Sequence, residues 1–286
     1  QPLSWASSTI PFMGSNDAAR AIFAVAQEKA VKGLVDTEEP DVITSAYEQF
    51  VWLNDKFGII AKDDGFVDKI EYDWRKEEYD VMVVYNGQSG MDDGTHYVFH
   101  EYFDSGYSVT KMKVLVEPGQ SFHKGDMLVS SNFISDNGIL QFGRNALVAY
   151  ICDGYNYEDG SHISMSMCKK LTSYRLNKEE FSGSQGSTVG YALDPKRLGE
   201  YLPDDGNVKI LASSRHGKDS PTEKRMVNVK KAYGFVEAME PLRSEHSNAT
   251  YGNELRTISV DEFSNGDKAS NRHGNKGVLA RKEPDA

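Results

Sequence analysis

The strongest constraint on the fold lies between residues 57 and 150, where short β-rich runs alternate with turn chemistry. FGIIAKDDGFVDKIEYD sets two apolar runs around Asp-Asp-Gly, which is the chemistry of a hairpin. EYDVMVVYN is one β-rich run, and KMKVLVEPGQSFHKGDMLVSS is broken at Pro-Gly and again at Lys-Gly-Asp. GILQFGRNALVAYICDGYNYEDG then reads as a strand that stops at a glycine-containing loop. A chain punctuated this way buries its apolar side chains in sheets. Further on, VKILASS, KRMVNVKKAYGFVEAME and ELRTISV read as short strands with charged turns between them. Helix is expected over 16–31, which is rich in Ala with apolar residues at helical spacing and has Asn16 or Asp17 as N-cap. Residues 41–54 leave a helix open. The small-residue stretch SGSQGSTVG over 182–190 is a candidate boundary or connector.

Composition narrows the class. With 286 residues, 39% hydrophobic and 26% charged, the chain has the length for one large or two smaller globular domains. No apolar run approaches the roughly 18 residues of a membrane helix, and no signal-peptide pattern is visible. The chain opens on Gln1 rather than Met, which reads as a processed product or an interior piece. Cys152 and Cys168 are not in a CxxC pair, so a cysteine-built zinc site is not expected and two reduced thiols are. A formal net charge of −11, taken alone, argues against a nucleic-acid binder. It leaves room for a local cationic surface, and Lys268, Arg272, Lys276, Arg281 and Lys282 supply one.

Two motifs carry chemistry. Residues 266–277 read GDKASNRHGNKG. The glycines allow tight turning and close approach of backbone to a ligand. Lys268, Arg272 and Lys276 converge within nine residues, as a polyphosphate or a nucleic-acid backbone requires. A solvated basic loop accounts for the same composition, and the spacing is not that of the Walker loop. The stretch beyond residue 262 is poor in apolar residues, and a functional loop is expected there. The second motif is DGYNYED, residues 153–159. Its adjacent carboxylates, Glu158 and Asp159, suit a divalent cation, directly or through water. An ordinary solvated turn is the competing reading.

The first string resembles the GDKxxGRHGNKG signature of the beta subunits of multisubunit DNA-directed RNA polymerases, with Asn271 where that family usually has Gly. DGYNYED resembles the family's NGYNFED loop, and the preceding GILQFGRNALVAY is similar to its GELALGQN-x-x-VA run. IPFMGSNDAARA resembles the segment ending DDANRA, which puts Arg20 on a family arginine and Ala19 on its Asn. VEPGQSFHKGDMLV and DDGNVKILASSRHGKDSPTEK match two further family units. The result is five collinear matches over nearly the whole chain.

The resemblance implies a mainly β fold with some α: a barrel-like hybrid-binding domain with a reduced flap module. Its first part is expected over 1–181, the flap or wall module over 190–256 and the lysine loop over 257–286. It implies that Lys268 and Lys276 act at the RNA 3′ end and the incoming nucleotide, with Arg20, Arg272 and His273 as further nucleic-acid or substrate contacts. It assigns Glu158 and Asp159 to the second, nucleotide-borne magnesium, through water or directly. The primary Mg2+ is held in that family by an aspartate triad, NADFDGD, on the partner beta-prime subunit, and this string is absent here. The chain is therefore expected to be inactive alone and to work with beta-prime-like chains, remaining beta segments, template DNA, RNA transcript and nucleoside triphosphates, with an initiation factor as a further partner. The division resembles the split subunits of large bacteriophages, which places the chain in the host cytoplasm or the virion, away from membranes. Two other readings stand beside it. One is a structural subunit that keeps the fold and has lost the chemistry. The other is a biotinyl- or lipoyl-type carrier domain, suggested by VEPGQSFHKGDMLV with Lys111 and Lys113 nearby.

Overall fold

The computed structural model describes residues 4–36, 42–45, 47, 57–73, 76–87, 94–104, 109–135, 138–141, 143–152, 154, 156–182, 192–193, 199–204, 209–215, 222–243 and 250–285. Among them strand dominates, as the turn-punctuated sequence requires, and the fold is mainly β with some α. The chain divides into two compact units. The first comprises residues 1–173 and 262–286, and the second is Tyr174–Asp261. The chain thus leaves the first unit and returns to it at Glu262.

The first unit opens with helix α1 (Trp5–Ser8), a 3-10 turn (Met13–Ser15) and helix α2 (Ala18–Glu28). Asp17 caps α2 by accepting a hydrogen bond from the Ala19 amide at 3.0 Å, one of the two caps the sequence offered. The helix buries Ala21 and Ala24. Strands follow: β1 (Ile59–Ile60), β2 (Gly65–Asp73), β3 (Glu78–Tyr85), β4 (Thr95–His100), β5 (Tyr102–Asp104), β6 (Val109–Val114), β7 (Ser121–Phe122) and β8 (Met127–Ser131). They form two four-stranded sheets, ordered β1-β8-β6-β5 and β4-β3-β2-β7. Both sheets contribute to one core, with Ile59, Val67, Val81, Val83, Phe122 and Leu128 at its centre, in a curled, half-barrel arrangement. Each such fully buried side chain contributes about 1.5–3 kcal/mol. Gly119 and Gly125 take positive φ in the Pro-Gly and Lys-Gly-Asp turns, as their sequence positions demand.

Three expectations are corrected. The Asp-Asp-Gly element is not a hairpin: β1 pairs with β8, whereas β2 pairs with β3 and β7. Gly65 serves close packing, because a Cβ there would meet the Val84 carbonyl at 2.3 Å. Second, residues 143–152 form no strand and join no sheet. Only Leu140, just before them, makes an isolated bridge, to Ile134. Third, the glycine-lysine stretch is not a loop but a hairpin, built from β17 and β18 below. The ambiguous 41–54 stretch and the connector 182–190 lie largely outside the described residues.

After residue 152 the chain forms β9 (Gly160–Ser164) and α3 (Met165–Lys170), which buries Cys168. The second unit contains β10 (Ser173–Ser182), β11 (Ala192–Leu193), β12 (Tyr201–Leu202), β13 (Lys209–Arg215), β14 (Thr222–Asn228), β15 (Gly234–Arg243) and β16 (Thr250–Asp261). Its sheets are ordered β10-β16-β15-β12 and β11-β13-β14, around a core of Leu202, Val229, Ala232, Val236 and Leu255. The Glu179 carboxylate accepts the amides of Lys230, Lys231 and Ala232 at 2.8, 2.7 and 3.3 Å, which fixes the turn into β15. Back in the first unit, β17 (Lys268–Ser270) pairs antiparallel with β18 (Lys276–Glu283), and β18 runs parallel to β9.

Candidate nucleotide and nucleic-acid site

The site grows from the β17–β18 hairpin. Its base is set by Asp267, whose carboxylate accepts the Ser264 amide at 2.8 Å while its own amide donates to the Ser264 carbonyl at 2.9 Å. Its tip is set by Asn271. The Asn271 side-chain oxygen accepts the amides of His273 and Asn275, at 3.0 and 3.1 Å, and its own amide donates to the Asn275 carbonyl at 2.9 Å. This is an Asx-type turn, in which the side chain supplies contacts the backbone would otherwise lack. The residue that departs from the family pattern thus braces the turn.

Pairing decides where the lysines stand. Lys268 lies opposite Val278, and Ser270 lies opposite Lys276. Residues opposite one another share a face of the ladder, so Lys268 and Lys276 are on the same face as diagonal neighbours, a relation that spans about 7–8 Å. Both are exposed, and among the described residues neither forms an ion pair. The two cations are therefore directed to one side and are not neutralised there.

The other motifs meet this hairpin. Gly274 sits at φ +86°, and a Cβ on it would lie 2.3 Å from the Arg20 carbonyl and 3.1 Å from the Ala24 amide nitrogen. The turn is seated directly on the backbone of α2. Arg20 Nη1 and Gln27 Nε2 both donate to the Gly274 carbonyl, at 3.3 and 3.4 Å, and the Arg20 guanidinium also lies over the Phe23 ring. On the other flank the Val278 amide donates to the Asp159 carbonyl at 2.9 Å. A Cβ on Gly277 would lie 2.8 Å from that same oxygen. Arg20, Asp159, Lys268 and Lys276 are thus carried on elements in direct contact.

Arg272 and His273 have other duties. Arg272 donates to the carbonyls of Ile43, at 3.0 Å, and Thr9. His273 Nδ1 donates to the Asn16 side-chain oxygen at 3.1 Å. Both hold the tip of the hairpin to the N-terminal segment. Sequence reasoning missed Gln27, Asn16 and the Thr9 carbonyl as supports, since nothing in their local sequence signals a contact some 250 residues away.

Glu158 and Asp159 are exposed, and Glu158 adopts a left-handed backbone at φ +53°. The Gly160 amide closes the turn on the Tyr157 carbonyl at 3.0 Å. Among the described residues no three or more His, Cys, Asp or Glu side chains are grouped to hold a metal ion. Glu158 and Asp159 alone make two adjacent exposed carboxylates and not a metal centre.

No protein-family model matches the chain. Among curated proteins, it is 27% identical to the DNA-directed RNA polymerase subunit beta of Tropheryma whipplei, over 98% of this chain and 27% of that one. It is 25% identical to the same-named subunit of Caldicellulosiruptor saccharolyticus, over 98% of this chain and 26% of that one. The Ehrlichia ruminantium subunit is 28% identical over 71% of this chain and 14% of its own length. The chain is similar to one region of such beta subunits and spans about a quarter of the length of the curated relatives it matches.

Proposed function

We propose that this chain forms part of the active-site wall of a multisubunit DNA-directed RNA polymerase, as a beta-subunit segment that grips the RNA–DNA hybrid, the RNA 3′ end and the incoming nucleotide. One observation carries this reading above the others: Lys268 and Lys276 stand on one face of a braced hairpin, exposed and without ion-pair partners among the described residues. Two ammonium groups carried by diagonal neighbours on one face suit a site where a 3′-terminal phosphate and a triphosphate meet. Lysine supplies a compact charge on a flexible stem, and positioning carries much of the catalysis in phosphoryl transfer.

Arg20 is the second contact to substrate or hybrid. Its tie to Gly274 couples it to the lysine hairpin. Arg272 and His273, fastened to backbone and to Asn16, act as positioning residues. Glu158 and Asp159 add negative charge on the flank of the hairpin, where they would support a nucleotide-borne magnesium. Magnesium, when bound, neutralises charge on the transferring phosphates. The primary ion belongs to a beta-prime-like partner, and the remaining beta segments complete the wall. The origin in a split bacteriophage polymerase belongs to the same proposal.

The test is single-nucleotide extension on a preassembled RNA–DNA scaffold, at saturating nucleotide, with enzyme reconstituted from this chain and its partners. Lys268→Ala and Lys276→Ala are each expected to slow addition by about tenfold or more, about 1.4 kcal/mol of barrier, with subunit assembly retained. Rates within about twofold of wild type for both would remove the lysines from the site and leave a structural subunit as the better account. The chain alone, supplied with magnesium, template and nucleotides, is expected to make no RNA. Synthesis by the pure chain would overturn the shared-site reading.

A further inference from the structure

Residues 146–152, ALVAYIC, are apolar on every position. In an extended chain alternate residues face opposite ways, so a run apolar throughout is the mark of a strand buried on both faces. Here the run is open: Leu147 and Tyr150 are 105% and 89% exposed, and Val148 and Ile151 are exposed as well. The segment joins no sheet, and its only described backbone hydrogen bond is donated by the Asn156 side chain to the Ile151 carbonyl, at 2.8 Å.

The run is nevertheless held in place at its start. The Arg144 side chain is buried and donates to the carbonyls of Asp36 and Lys170. Asn145 accepts the Val42 amide at 3.2 Å. Val42 and Ile43 are themselves exposed, and Ile43 is fastened to the hairpin tip through Arg272. Two further exposed apolar residues, Val42 and Ile43, thus stand beside the base of the run, and grouped exposed apolar side chains mark an interaction surface.

We propose that residues 146–152 are an acceptor strand: a β-strand from outside the given sequence pairs with their backbone and covers their apolar side chains. The occupant is a β-strand of the rest of the beta-like sequence, and this identification rests on the polymerase reading above. The relatives keep the matched region within chains about four times as long, so in them further protein is at hand to cover this run. A second copy of the same chain is the poorer fit, because the formal charge of −11 on each copy opposes self-association. Strand addition supplies affinity through main-chain hydrogen bonds and specificity through alternate side chains.

The test compares the free chain with the complex reconstituted from this chain and the chains carrying the remaining beta-like and beta-prime-like sequence. Amide exchange over 146–152 is expected to slow by about 100-fold on assembly. Alkylation of the exposed Cys152 by iodoacetamide should fall at least about tenfold. Ala149→Pro, which removes one ladder amide, and Tyr150→Asp should leave the free chain's melting temperature unchanged and abolish co-assembly. Unaltered exchange in the complex, normal assembly of both variants, or protection already present in a dimer of the chain alone would each overturn the proposal. A complex protected over 146–152 that makes no RNA keeps this inference and sinks the polymerase reading. A complex that makes RNA with the segment still unprotected does the reverse.

Discussion

Gly274 shows how much a single backbone position decides. It needs a positive φ, and it leaves no space for a Cβ against the Arg20 carbonyl. Gly274→Ala combines left-handed strain with a clash against helix backbone, which cannot swing aside as a side-chain tip can. We expect it to cost about 2 kcal/mol or more, read as a lower urea midpoint, and to slow nucleotide addition although neither lysine is altered. A variant with wild-type stability and rate would mean that the hairpin tip does not depend on its seat on α2. At this scale the sequence was informative for Asp17, whose cap is a local interaction. It did not show that Arg272 is tied to the carbonyls of Ile43 and Thr9, because these partners lie 229 and 263 residues away and only the tertiary neighbourhood brings them together.

The elements were legible where local chemistry fixes them. Pro-Gly and Lys-Gly-Asp made turns, the Ala-rich stretch made α2, and the apolar runs beyond residue 209 made strands. Pairing was not legible, because the partner of β1 is chosen by the shared core and not by the turn beside it. The glycine-lysine stretch read as loop for a related reason: with so few apolar residues, its strands are held by ladders to each other and to β9. A side-chain tie helps to close this arrangement. Lys282 Nζ lies 2.7 Å from Glu262 Oε1, and this hydrogen bond holds the Glu262 carboxyl below its ordinary value of 4.5 and Lys282 above its ordinary value of 10.5. A lowered carboxylate contributes stability that is full above 4.5 and is lost as pH falls through the folded value; the raised lysine contributes below 10.5 and loses its share as pH climbs beyond it. Glu262 is exposed and Lys282 half-buried at the surface, so the effect is small and sensitive to salt. Glu262→Gln should therefore flatten the fall in urea midpoint between about pH 6 and pH 3, and equal slopes for variant and wild type would assign that fall to other carboxylates.

For the whole molecule, the chain divides into two compact units, and the second begins at Tyr174 and ends at Asp261; the flap module expected over 190–256 falls inside its range. The metal role proposed for Asp159 also belongs to this scale, since the proposal places the ion between chains. Asp159→Ala is expected to raise the magnesium concentration needed for half-maximal addition by about threefold or more in the reconstituted enzyme, with assembly intact because the carboxylate is exposed and Val278 binds the backbone carbonyl. An unchanged magnesium titration would return Glu158 and Asp159 to the status of a solvated turn.

The seating of Gly274 on Arg20 joins positions 254 apart in the sequence, and this has a bearing on the order of events during synthesis. At about 5–20 residues per second, a ribosome needs on the order of 10 to 50 seconds between making α2 and making the hairpin that rests on it. Throughout that interval the intervening strands can fold while α2 waits for its partner. Until the hairpin has been made and seated on α2, the nascent chain carries no assembled cationic surface. A contact between distant positions works here as a delay, and the proposed grip on nucleic acid forms only after the strands that precede the hairpin have been made.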